Sequence, residues 1–103
     1  MPEHLFYSPQ AQSDLDEICS YFANELNDPR KGREIVGRIL SVTEQIPGHP
    51  LRYPPVGSLP FSTELYRFAT IGNYLAFFRV VDDAVLVDRI LYKRRDFSAL
   101  LGL

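Results

Sequence analysis

Three arginines, Arg67, Arg79 and Arg89, each sit inside a short apolar-aromatic run, and three cations, Lys93-Arg94-Arg95, follow the last run directly. Tyr66, Tyr74 and Tyr92 are spread through the same runs. A guanidinium offers planar, paired donors that match a carboxylate or a phosphate. The pattern therefore suits a cationic, aromatic-lined contact surface, with Arg67, Arg79, Arg89, Tyr92, Lys93, Arg94, Arg95 and Phe97 as its candidate residues. Arginines so placed can equally pair with Asp82, Asp83 or Asp88 of the chain itself, and strand register is not readable from the sequence. No Ser/His/Asp pattern, no Cys beside a His and no Gly-rich phosphate loop is present. No catalytic residue is assigned; catalysis would fall to the arginines with Tyr or His as proton carrier.

The elements that must hold these residues lie between Leu65 and Asp96. Val, Ile, Leu, Phe and Tyr fill three runs, separated by Ile71-Gly72-Asn73 and by Asp82-Asp83. Such runs fit a pleated, half-buried surface, and such short polar breaks turn antiparallel neighbours back on one another. A three-stranded meander is expected. Upstream, His4 to Tyr7 reads as a lone strand that must pair with it. Ser8-Pro9 then caps and starts a helix, with apolar residues at Ala11, Leu15, Ile18, Cys19, Phe22 and Leu26 and with Asp14, Asp16, Glu17 and Glu25 largely off that stripe. Asp28-Pro29 repeats the device for a second helix, carrying Ile35, Val36, Ile39, Leu40 and Ile46, until Pro47-Gly48 ends it. Gly32 and Gly37 weaken that helix, and a closer approach of the first helix or the sheet is the expected return.

Five of the eight prolines fall between Pro47 and Pro60, so that stretch is expected to be a stiff irregular connector, or one on which Arg52 and Tyr53 meet a partner. After Arg95, Asp96 or Ser98 is expected to cap one last turn that folds Phe97, Leu100 and Leu101 onto the sheet. The order is thus β-α-α-β-β-β, an α+β single domain over residues 1–103 with a helical hairpin on one face of a small antiparallel-rich sheet and a short C-terminal helical turn.

Composition narrows the function classes. The chain is 46% hydrophobic, enough for a core. The single cysteine, Cys19, excludes an internal disulfide and reads as buried and inert. His4 and His49 give no metal-ligand spacing, so no metal and no cofactor is expected. No signal peptide and no span of apolar residues long enough for a bilayer is visible, and a cytoplasmic protein with no membrane contact is expected. The net charge of −2 divides unevenly: residues 1–64 carry five Lys/Arg against nine Asp/Glu, and residues 65–103 carry six against four. That balance is too weakly positive for a protein whose main ligand is RNA or DNA.

The element order, the segment Tyr74-Leu75-Ala76-Phe77-Phe78-Arg79-Val80 before Asp82-Asp83, and above all Asp88-Arg89-Ile90-Leu91-Tyr92-Lys93-Arg94-Arg95-Asp96 resemble the RelE/ParE superfamily. Its members are the small toxins of bacterial type II toxin–antitoxin (plasmid stabilisation) systems. RelE-type members cut messenger RNA on the ribosome. They place an Arg directly after the Tyr that opens the middle strand, and a Tyr six residues beyond the Arg of the tail cluster. Here those positions hold Leu75 and Leu100, and only Arg94 matches that set. The resemblance therefore implies the ParE-like branch, which inhibits DNA gyrase by protein contact. ParE-like members often have His where Tyr92 stands. The implied partners are DNA gyrase and a cognate antitoxin that wraps the toxin as helix and strand, in a hetero-oligomer. The resemblance leaves a RelE-like ribosome-dependent endoribonuclease, or a non-toxic antitoxin-binding module, as alternatives.

Overall fold

A computed structural model of the chain describes residues 2–56 and 66–93. Its elements are β1 (His4–Tyr7), α1 (Pro9–Asn24), α2 (Pro29–Thr43), β2 (Arg67–Ile71), β3 (Tyr74–Val81) and β4 (Ala84–Tyr92), with two 3-10 turns, Ile46–Gly48 and Pro50–Arg52, after α2. The order is the expected one. Ser8 caps α1 by accepting the Ala11 N–H at 3.0 Å, and Asp28 caps α2 by accepting the Lys31 N–H at 3.1 Å. Each cap is followed by a proline at a position where no helical N–H is lost. α1 stops short of Leu26 because Asn27 turns the chain in the left-handed region, at φ 50°. Leu26 accordingly leaves the expected buried stripe and is 49% exposed.

The four strands form one sheet in the order β1-β4-β3-β2. β2, β3 and β4 make the antiparallel meander, and β1 adds beside β4 in parallel, which the helical hairpin between them makes possible. Two-residue turns close both hairpins: Ile71 pairs with Tyr74 across Gly72-Asn73, and Val81 with Ala84 across Asp82-Asp83. In each the first turn residue has positive φ, 57° at Gly72 and 52° at Asp82, as tight hairpins require.

The helices cover one face of the sheet. Ala11, Ile18, Ile39 and Ile46 pack there against Ala69, Ile71, Ala76, Phe78, Val85, Val87 and Ile90. On the opposite face Leu75, Phe77 and Leu91 form a second, smaller cluster under Val56, Tyr66 and Phe68. A bulge in β4 reconciles the two. Arg89 pairs with Phe77 and Val87 with Phe78, which leaves Asp88 as the extra residue. Before it the helix-side residues are Val85 and Val87; after it the phase changes and Ile90 takes that side.

α1 is fastened to this bulge. The Ser8 hydroxyl donates to the Asp88 carbonyl at 2.7 Å, and its backbone N–H donates to the Val87 carbonyl at 2.9 Å. Nearly two turns on, Asp14 accepts Arg89 Nε at 2.8 Å, Arg89 Nη2 at 2.9 Å and the Ile90 N–H at 2.9 Å. The stripe read from the sequence excluded Asp14, yet it is buried, because it meets a guanidinium and an orphan strand N–H rather than an apolar partner.

The two glycines of α2 part company. A Cβ on Gly32 would lie 3.0 Å from Phe22 Cβ and 3.4 Å from Cys19 Cα, so the helices close on each other at this point. A Cβ on Gly37 would meet nothing within 4 Å. Gly37→Ala is therefore expected to raise stability by about 0.5–1 kcal/mol in chemical denaturation, and Gly32→Ala to gain nothing or to lose. Equal gains at both positions would refute the close approach. Asp14→Ala, which leaves the Arg89 guanidinium and the Ile90 N–H without their acceptor, should cost about 3–5 kcal/mol. An unchanged denaturation midpoint would show that α1 is held by apolar packing alone.

Candidate binding groove

The three strand arginines do not share a face. Arg67 lies on the helix side, where Nη1 donates to the Tyr53 carbonyl at 2.7 Å, while the Tyr53 ring stands edge-on to Phe78. It thereby ties the proline-rich segment to β2. Two further bonds, Val56 N–H to Tyr66 O and Phe68 N–H to Pro54 O, make that segment a partial cover for the edge of β2. Arg79 projects from the opposite face, where Nε donates to Asp88 at 2.7 Å and the guanidinium lies 5.6 Å from the Tyr66 ring centre. Arg89 turns toward α1 and Asp14, whose hydrogen bonds raise its already high pKa and hold it charged. Each guanidinium is thus engaged inside the fold. Lys93 is exposed at the end of β4; Arg94, Arg95, Phe97 and Leu100 lie outside the described residues.

Tyr92 is the sequence candidate that does reach a cavity. A groove of about 640 Å³ opens between the helical hairpin and the sheet, at the end where β2 turns into β3. Ile18, Ile35, Ile71 and Ile90 supply its apolar floor. Tyr21, Phe22, Tyr74 and Tyr92 line its walls, with Tyr74 and Tyr92 edge-to-face at 5.7 Å between ring centres. Burial, and then the neighbouring Tyr92 and Tyr21, raise the Tyr74 pKa, so its hydroxyl stays neutral and can both donate and accept. Tyr21 and Tyr92 are each about half exposed, which leaves amphipathic rings free for a partner.

Charge on the rim comes from residues that the sequence reading passed over. Lys31 and Arg38 of α2 border the groove, and Glu17 of α1 stands on it with them. Four of the five Lys/Arg in residues 1–64 are Arg30, Lys31, Arg33 and Arg38, all on α2 and all exposed. Summing charge over halves of the chain hid this, because the nine acids spread over residues 1–64 outweigh them. The signal was nonetheless present in the run Pro29-Arg30-Lys31-Gly32-Arg33. Asp14 lines the groove too, but its oxygens already accept three donors. An apolar floor, aromatic walls and a cationic lip make this a place to seat an amphipathic segment.

Relatives place this geometry. The chain matches the family described as ParE toxin of type II toxin-antitoxin system, parDE, over residues 5–97. No curated protein sequence matches it. Among solved structures it is similar to a chain of the chromosomal ParDE toxin–antitoxin system from P. aeruginosa, with a TM-score of 0.72 and 22% identity over 86% of this chain and 94% of that one. It is also similar to YafQ from E. coli strain BL21(DE3), with a TM-score of 0.53 and 13% identity over 99% of this chain and 100% of that one. At such identities the two structures show a common fold, and the family match carries the assignment: with its helical hairpin on a four-stranded sheet, this chain belongs to the ParE toxin family of type II toxin–antitoxin systems.

Proposed function

We propose that the chain is a ParE-like toxin that inhibits DNA gyrase by protein contact in the cytoplasm and is neutralised by a cognate antitoxin seated in the groove. The groove carries the reading. Its apolar floor and exposed tyrosines suit one face of an amphipathic helix, and Lys31 and Arg38 suit acids on that helix's flank. Charge on the rim would set encounter rate and register more than final affinity. The end of β4 borders the same groove through Ile90 and Tyr92, so an extended stretch of the antitoxin could continue from helix to strand there.

The middle strand supports an inhibitor over a ribonuclease. Leu75 stands where the RelE-type resemblance calls for an arginine, and it is 7% exposed in the cluster with Phe77 and Leu91. A buried aliphatic group can neither move a proton nor steady a phosphate. Arg67 and Arg79 are engaged with Tyr53 and Asp88.

Expression alone should arrest growth, and co-expression of the neighbouring gene product should relieve the arrest. Purified toxin should inhibit supercoiling by gyrase; full gyrase activity at large toxin excess would sink the gyrase target. Cleaved transcripts within minutes of induction would favour the ribonuclease instead. Lys31→Glu with Arg38→Glu should weaken antitoxin binding about 10-fold or more, chiefly by slowing association, and should flatten its salt dependence. Unchanged association kinetics would take the antitoxin off this rim.

A further inference from the structure

The end of the sheet farthest from the groove has an unusual surface. β3 begins at the groove with Tyr74 and ends at Val81, about 23 Å away for an eight-residue strand. Register puts Val81 beside Ala84, and Ala84 beside His4; one step along, Arg79 lies beside Leu86, and Leu86 beside Phe6. By strand alternation these residues project from the face opposite the helices. Phe6 is 56% exposed and Val81 43%, with Ala84 and Leu86 between them only half buried. Elsewhere on this face, Val56, Tyr66 and Phe68 pack over Leu75, Phe77 and Leu91. At the tip, a large aromatic and a β-branched residue stand toward solvent on one contiguous strip.

Charge selects what can cover the strip. Glu3, Asp82 and Asp83 are all exposed around it, with Asp83 3.8 Å from His4 Nε2, and Arg79 is matched by Asp88; Arg52, near Val80, is an exposed cation at this end, so among the described residues carboxylates outnumber cations here. A second copy meeting this strip across a two-fold axis would bring like charges together, which opposes association. An acidic antitoxin segment is repelled for the same reason, and so is nucleic acid. The complementary occupant is a protein with an apolar centre inside a rim of lysine and arginine.

We infer that the β3–β4 hairpin tip with Phe6 is a second docking surface, which engages the toxin's target through a basic, apolar-centred patch while the groove engages the antitoxin. This rests on the proposed reading that the chain acts by contact with a target. The two surfaces lie at opposite ends of β3, so substitutions at one leave the residues of the other untouched.

The test compares the full chain with Phe6→Ser/Val81→Ser and with Asp82→Asn/Asp83→Asn, after confirming equal melting temperatures. Exposed positions and an asparagine at the positive-φ site should leave the fold intact. Three readouts are taken: growth arrest on expression, binding of purified gyrase, and binding of the antitoxin. Both variants should lose growth arrest and bind gyrase at least 10-fold more weakly, the Asn pair with a smaller salt dependence, while antitoxin affinity changes less than about 2-fold. Retained arrest by the Ser pair when wild type arrests growth would overturn the tip alone, as would a loss of antitoxin affinity equal to the loss of toxicity. Absence of arrest by wild type would overturn the toxin reading and the tip with it. If wild type arrests growth without binding gyrase, the target changes, and the growth phenotype of the Ser pair decides the tip.

Discussion

The carboxylate of Asp14 holds the rest of the molecule in place. It takes both donors of the Arg89 fork and the backbone N–H of Ile90, across a separation of 75 residues in the chain. Those three bonds set the depth and rotation of α1 over β4. Ser8, nearly two turns earlier, repeats the attachment at the Asp88 carbonyl and the Val87 carbonyl. With α1 fixed in this way, Gly32 lets α2 close on it, and the groove takes its shape from what lies beyond the contact. An ion pair with so little exposure contributes mainly by specifying one arrangement, since apolar residues of like volume would often stabilise as well.

The bulge at Asp88 is the second half of this arrangement. An unbroken β4 would put Asp88 and Arg89 on strictly alternate faces and would leave Ile90 out of the helix-side core. With one residue added, Asp88 meets Arg79 on the open face and Arg89 meets α1 at the strand margin. Two charged pairs are thus stored within a strand that remains apolar at Val85, Val87, Ile90 and Leu91. The arginines that look like a binding surface are largely the fold's own fasteners.

Much of the fold was legible in the sequence, because each element carried a local physical mark. Ser8-Pro9 and Asp28-Pro29 announced the helix starts, Gly72-Asn73 and Asp82-Asp83 announced the turns, and runs of β-branched, aliphatic and aromatic residues announced the strands. The site was less legible. Its arginines were visible, but their partners lie across tertiary distances that no local pattern encodes: Asp14 for Arg89, and the Tyr53 carbonyl for Arg67. A one-residue bulge is invisible to alternation until the register is known, and a polar residue on an apolar stripe reads as solvent-facing unless its partner is known. The cationic lip on α2 was readable, and was masked only by averaging it with the acids of residues 1–64.

The strand order carries one consequence for how the cell makes this protein. β4 lies between β1 and β3, yet among the described residues it is the last strand to be synthesised. Until it leaves the ribosome, β1 has no neighbour, Asp14 has no guanidinium and the helical hairpin has no sheet to close upon. A nascent or prematurely terminated chain that lacks β4 therefore cannot present either end of the sheet in its finished form. β4 is thus the strand that closes the fold, supplying the neighbour of β1 and the guanidinium for Asp14.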